Sequence, residues 1–232
     1  MRRLTGLADV VMPLLLAAAP ANAATIYYSS VPALDGSGLV SPYAAQPGFT
    51  VVDFNAGACN PATPGVVSAL PFSSGGATYS GSGNLACGSV AGNYATPAGD
   101  STVYLTVPDT GLGKSGTVDV TLSAGLGPLN YFGLYWGSID AYNSITFLKG
   151  GVSVASVVLN PSEPGLTRNR YVNVVLDAGQ TYDSIKVTST NAAFESDNHT
   201  FGYVTVPEPG SLGLLAAGLA GVAAVRRRRR IG

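Results

Sequence analysis

The sequence predicts an all-β protein, a single β-sandwich of jelly-roll type between two apolar terminal segments. Three observations lead there. First, the region 24–205 is rich in Gly, Ser, Thr, Asn, Val and Tyr and poor in Leu, Lys and Glu. Second, no window in it carries the i, i+3, i+4 apolar pattern of a surface helix. Third, short period-two alternation recurs, bounded by Gly, Pro, Asn and Asp, at intervals of about 8 to 12 residues. A β-helix is the rival for a Gly/Asn-rich chain of this kind, but no fixed-period repeat is visible.

In chain order, 24–28 reads as an edge strand and 29–48 as loop, with Pro32, Asp35-Gly36, Pro42 and Pro47. A strand follows at 50–54. The stretch 55–76 is again loop-like and holds a short strand at 66–70. Two short strands, 78–83 and 85–90, flank the second cysteine. At 102–107 the alternation becomes clean, with Val103, Leu105 and Val107 on one face and Thr102, Tyr104 and Thr106 on the other. Val118, Val120 and Leu122 line one face of 117–122. The most aromatic stretch, 130–136 (N-Y-F-G-L-Y-W), reads as a central strand. At 143–148, Ile145 and Phe147 face one way, and Lys149-Gly150-Gly151 is a hairpin signal into 152–159. Strands at 170–176, 184–190 and 201–206 complete roughly nine to eleven.

The two ends carry the address. Arg2 and Arg3, the apolar run 10–19 and Ala21-Asn22-Ala23 form a signal peptide over 1–23, cleaved after Ala23. At the other end, 206–232 combines Pro207, Glu208 and Pro209 with an uncharged run at 211–225 and a cluster of Arg226, Arg227, Arg228, Arg229 and Arg230. Two prolines two residues apart keep the first part extended and accessible. The Leu/Ala/Gly/Val run suits a transmembrane helix, and the arginines stay cytoplasmic. As a helix the run spans ~22 Å, short of a ~30 Å hydrocarbon core, which fits a transient, processed anchor better than a permanent one.

This order of Pro-Glu-Pro, short apolar helix and arginine cluster resembles the PEP-CTERM sorting signal of Gram-negative bacteria that make extracellular polysaccharide. The resemblance implies recognition and removal by an exosortase-type membrane protease, a transient stay in the inner membrane, and delivery to the cell surface or extracellular matrix. Two further stretches, 131–147 and F-E-S-D-N at 194–198, are similar to segments of exosortase-dependent surface proteins and carry over no activity.

Charge narrows the partners. Residues 24–206 hold five Lys/Arg against eleven Asp/Glu, a net of −6, although the whole chain is near neutral at −1. Such a domain repels polyanions, so nucleic acid is not an expected partner. Cys59 and Cys87 are the two cysteines of an exported chain, and a disulfide between them is expected. It closes a loop of roughly 29 residues.

Chemistry-bearing residues are few. Trp136 is the one tryptophan, and with Tyr135, Tyr142, Asp140 and Asn143 it offers a platform for stacking a sugar. The plainer reading, packing in a sandwich core, ranks ahead. Glu195, Asp197 and Asn198 are weak calcium candidates, since hard oxygen donors lie close in sequence; an Asx-turn explains them better, and no cofactor is expected. His199, the one histidine, reads as a solvated turn residue, with no G-x-S-x-G elbow to make it catalytic. Glutamates for glycosidase chemistry are limited to Glu163 and Glu195 in the domain. The expected function is therefore non-enzymatic, a structural or adhesive surface protein. A carbohydrate-binding module, for exopolysaccharide, is the alternative, and an extracellular hydrolase ranks third.

Overall fold

A computed structural model describes residues 24–55, 57–109, 114–162, 169–206 and 218–219. The region 24–202 is all-β, as its alternation predicts, and its strands form two large antiparallel sheets and one small one. The larger sheet collects Ala24–Ser29 (β1), Thr50–Val52 (β4), Gly65–Ala69 (β5), Asn84–Cys87 (β8), Tyr104–Val107 (β9), Tyr131–Trp136 (β11), Arg170–Leu176 (β14) and Phe194–Gly202 (β16). Its order is β1-β14-β11-β16-β9-β8-β5, with β4 on the far half of β16. The second sheet collects Phe72–Ser74 (β6), Ala77–Gly81 (β7), Gly116–Leu122 (β10), Asn143–Lys149 (β12), Val152–Val157 (β13) and Ser184–Ser189 (β15), in the order β13-β12-β15-β10-β7-β6. Val31–Pro32 (β2) and Leu39–Val40 (β3) make a small ribbon inside the stretch read as loop.

Buried side chains from both large sheets share one hydrophobic cluster. Strands of both sheets contribute alternate residues to it: Phe132, Leu134 and Trp136 from β11, Val172 and Val174 from β14, Val118 and Val120 from β10, Ile145 and Phe147 from β12. The aromatic strand β11 is central, with β14 on one side and β16 on the other.

Three features depart from the sequence expectation. The face opposite this cluster is not solvated on the inner strands of the larger sheet, β9, β11, β14 and β16. Tyr104 and Thr106 of β9 are as buried as Leu105, and Tyr131 and Tyr135 as buried as Phe132. Chain from 33–49 and 89–102 lies over that face. Residues 194–198, expected as a turn, belong to β16, and the strand begins seven residues before the expected 201. β16 holds because β11 pairs along its length, while β9 takes 194–196 and β4 takes 199–201 on the other side. Between those two partners the register against β11 shifts at a β-bulge, where Asn198 adopts a positive φ of 52°. Finally, His199 is fully buried, correcting the expected solvated turn histidine. The bulge restores its side chain to the core face, among Phe54, Tyr79 and Phe132.

The Cys59–Cys87 disulfide is present, with a sequence separation of 28. It ties the loop before β5 to the end of β8, at the margin of the sheet where strands are shortest. Replacing both cysteines by serine is expected to lower the unfolding free energy by roughly 3–4 kcal/mol through loop-closure entropy, as measured by urea denaturation; a loss below about 1 kcal/mol would contradict the chain-entropy account.

The expected signal peptide at 1–23, Glu163, Pro207, Glu208, Pro209, the expected helix at 211–225 and the arginines 226–230 lie outside the described residues, apart from 218–219, which are helical. Among the described residues no helix is long and apolar enough to cross a membrane.

Candidate functional site

The residues singled out in 131–147 separate into two groups once folded. The polypeptide leaves β11 at Trp136 and turns through 137–142 before β12. Trp136 points into the core with 0 % of its surface exposed. Its ring stacks on Phe194 at 4.4 Å between centroids, and its Nε1 donates to the Ser138 carbonyl at 3.0 Å. Tyr135 points the opposite way and donates its hydroxyl to the Ala98 carbonyl. Its ring passes so close to the 33–48 segment that a Cβ at Gly38 would lie 2.3 Å from it; Gly38 also has a φ of +81°, so glycine is required there twice over. Neither ring is open to a sugar face, so Trp136 and Tyr135 pack inside as the plainer reading has it and do not form the alternative stacking platform.

Asn143 is buried as well, and it acts as a clamp. Its Nδ2 donates to the carbonyls of Ser138 (3.1 Å) and Ala193 (3.2 Å), and its Oδ1 accepts from the Ser189 hydroxyl at 2.6 Å. It thereby fastens the turn after β11 to the segment entering β16.

Those two segments form two walls of a pocket of about 440 Å³. Ser138, Asp140 and Tyr142 come from the first, Ala192, Ala193 and Glu195 from the second. The third wall is 89–95, part of the chain that covers the outer face of the larger sheet. Sequence reasoning had placed Asp140 and Tyr142 in one candidate group and Glu195 in another. The fold brings these three together.

Glu195 is 2 % exposed. Its Oε1 accepts the Ala95 N–H at 2.7 Å, while Oε2 makes no well-formed hydrogen bond among the described residues. Burial raises the carboxyl to about 7, against the stabilising effect of the Ala95 N–H and the neighbouring Ser138 side chain; Asp140 pushes it the same way as burial. Asp140 is only partly buried, and its Oδ2 accepts the Tyr142 hydroxyl at 2.8 Å. The same hydroxyl reaches the Ala192 carbonyl at 3.2 Å. The pocket therefore presents two carboxyl groups of different character: one partly exposed and bonded to a tyrosine hydroxyl, one sheltered and raised to about 7. Among the described residues no Lys, Arg or His lines it.

The weak calcium candidates do not converge. Glu195 faces the pocket. Asp197, two residues on, lies with Asp100 and Thr102, whose hydroxyl donates to Asp100 Oδ1 at 2.7 Å and contacts Asp197 Oδ2 at 3.3 Å. Burial, with Asp100 adding, raises Asp197 well above the ordinary carboxylate range. Asn198, displaced by the bulge, donates to the Ser37 and Leu39 carbonyls at 2.8 and 3.0 Å. Among the described residues no three His, Cys, Asp or Glu side chains gather in a metal-binding arrangement.

Sequence reasoning missed the polar layer to which Asp197 and Asn198 belong. Tyr131 donates to Asn173 Oδ1 at 2.6 Å and pairs with Ser41 Oγ at 2.7 Å; Tyr171 reaches the Thr200 hydroxyl at 2.8 Å. Gly133 makes room for both rings, since a Cβ there would lie 2.4 Å from the Tyr131 hydroxyl and 2.7 Å from Tyr171. This layer is fully hydrogen-bonded at these positions and fixes the covering chain on the sheet.

Comparison with known proteins bears on the tail. A family model of the PEP-CTERM protein-sorting motif matches residues 205–229. No curated protein and no solved structure matches the chain.

Proposed function

Proceeding from the sorting motif at 205–229, we propose that this is an exported surface protein whose maturation removes the tail. The signal peptide at 1–23 opens the route, exosortase-type cleavage near Pro207, Glu208 and Pro209 closes it, and 24–205 is the unit delivered to the cell surface or extracellular matrix. We read that unit as one jelly-roll-like β-sandwich, because two sheets contribute to one hydrophobic cluster. Its role is structural or adhesive and non-enzymatic. The motif carries this reading; a disulfide and a covered sheet face suit a domain that works outside the cell.

The test is the intact mass of the protein made with a matching exosortase. A mature chain beginning at Ala24 and ending near 207–209 is expected, and Glu208→Ala is expected to abolish the C-terminal trimming. A mature mass that retains Arg226 to Arg230 would overturn the proposal.

A second reading, carbohydrate binding, is favoured by the pocket of Asp140, Tyr142 and Glu195. Carboxyl groups and a tyrosine hydroxyl in a concave site suit the hydroxyls of an exopolysaccharide. It no longer involves the Trp136 ring. Turnover of a glycan by the wild type and not by Glu195→Gln would replace binding with hydrolysis.

A further inference from the structure

The end of the domain acts on the tail, an inference that rests on the sorting reading above. We propose that Asn130 is a positioning residue for processing: its side chain clamps the main chain at Val204, immediately before the matched motif, and so restrains the tail of the folded precursor from entering the protease.

Asn130 sits just ahead of β11 and is 1 % exposed. Its N–H donates to the Gly202 carbonyl at 3.1 Å, and its carbonyl accepts the Leu176 N–H at 2.8 Å. These two bonds hold its backbone between β14 and β16. The side chain continues the pairing along the exit from β16. Its Nδ2 donates to the Val204 carbonyl at 2.8 Å, and its Oδ1 accepts the Val204 N–H at 2.7 Å. A side-chain amide that gives one bond and takes one copies the paired bonds of an antiparallel ladder. Val204 is thus held as though a further strand lay beside it. Exposure alternates accordingly, with Tyr203 and Thr205 outward and Val204 half-buried between them. The chain is also confined at Gly202, where a Cβ would strike the Phe49 ring, itself stacked on Tyr43 at 4.9 Å.

The clamp lies close to the expected cut. Only Thr205, Val206 and Pro207 separate Val204 from Glu208, which is about 13 Å of extended chain. Extended peptides are bound through their main-chain N–H and C=O groups, and a protease cleft draws on several residues upstream of the cut. In the folded domain both such groups of Val204 are taken by Asn130. Productive binding of the tail therefore competes with the clamp. The competition begins only when the domain has folded, because Asn130 and Val204 are 74 positions apart in the chain.

The experiment follows loss of the tail from the full chain by pulse–chase in a host with a matching exosortase. Asn130→Ala removes both side-chain bonds to Val204 and leaves the two backbone bonds of that residue in place. It is expected to shorten the half-time of tail loss at least about fivefold, the worth of one hydrogen bond. Insertion of Gly-Ser-Gly-Ser between Val204 and Thr205 keeps both clamp and motif and lengthens the gap between them. It is expected to accelerate tail loss to the same degree, and to add nothing when combined with Asn130→Ala. Val120→Ala weakens the core from the second sheet without touching the exit, and is expected to leave the half-time unchanged. No acceleration in Asn130→Ala, an equal acceleration in Val120→Ala, or an insertion without effect would overturn the clamp and spare the sorting reading. A tail retained by every one of these chains would overturn both. Amide exchange supplies a readout free of the protease. The Val204 N–H is expected to be protected in the wild type and exposed in Asn130→Ala, and rapid exchange in the wild type would overturn the inference.

Discussion

Trp136→Ala is expected to cost about 3–5 kcal/mol of unfolding free energy, the largest loss from any single truncation in the domain. The indole is wholly buried on the central strand, stacked on Phe194, and its N–H holds the Ser138 carbonyl at the start of the pocket wall. Alanine would lose the transfer energy of the ring, leave a cavity between the two sheets, and strip that carbonyl of a donor. Trp136→Phe keeps most of the volume and is expected to cost less than half as much. Urea denaturation measures both. Because Trp136 is the one tryptophan, its emission reports the same burial directly: a blue-shifted maximum, insensitive to iodide, is expected in the native protein. A loss under about 1 kcal/mol, or a quenchable indole, would show that the ring is accessible and would reopen it as a ligand platform.

The second large effect is the response to acid. His199 is fully buried, with Nδ1 on the Tyr79 hydroxyl (3.1 Å) and Nε2 on Ser196 Oγ (2.9 Å), and burial lowers it from 6.5 to about 3. The folded protein therefore holds this ring neutral while the unfolded chain protonates it near 6.5. Its contribution is present above 6.5 and is lost as pH falls through the folded value, by about 4–5 kcal/mol at one 1.36 kcal/mol step per pH unit. Glu195 and Asp197 act in the opposite sense. Their folded values are raised, so their contribution is complete below the unfolded carboxylate value and is lost as pH rises through the folded one, about 7 for Glu195. Maximum stability is thus expected inside the window bounded by about 3 and about 7, on the acid side of neutrality. The single histidine gives one unambiguous set of ring resonances. Those resonances are expected not to move between pH 8 and pH 5, and an ordinary midpoint near 6.5 would contradict the buried, neutral ring.

The strands of the second sheet, β6 inside the stretch read as loop excepted, were legible because alternation decides them. Val118 and Val120, or Ile145 and Phe147, can be buried on one face only if the chain is extended, and the Lys149-Gly150-Gly151 turn fixes the β12–β13 hairpin locally. The larger sheet was less legible for a definite reason. Its second face is covered by chain that carries no periodic pattern, so Tyr104, Glu195 and Asp197 look like solvent-facing residues and are buried. Coverage of a face depends on contacts between segments distant in sequence, such as Ser41 with Tyr131 or Ser37 with Asn198. His199 was misjudged for a different reason: a lone histidine among Asp, Asn and Thr reads as a turn, and one bulge residue turns it to the core face.

What the sequence determined by itself is the sorting motif near its C-terminus, its all-β character and its disulfide. Each rests on local composition or on the pairing of two unique residues: Pro-Glu-Pro ahead of an uncharged run and five arginines, period-two alternation, and two cysteines. What only the tertiary structure decided is the site. Asp140 and Glu195 are 55 positions apart. They meet because β11 and β16 are neighbours in the larger sheet and Asn143 clamps the turn after one to the segment before the other. No local pattern encodes that meeting, since strand order is settled by which hydrophobic faces bury one another across the whole domain.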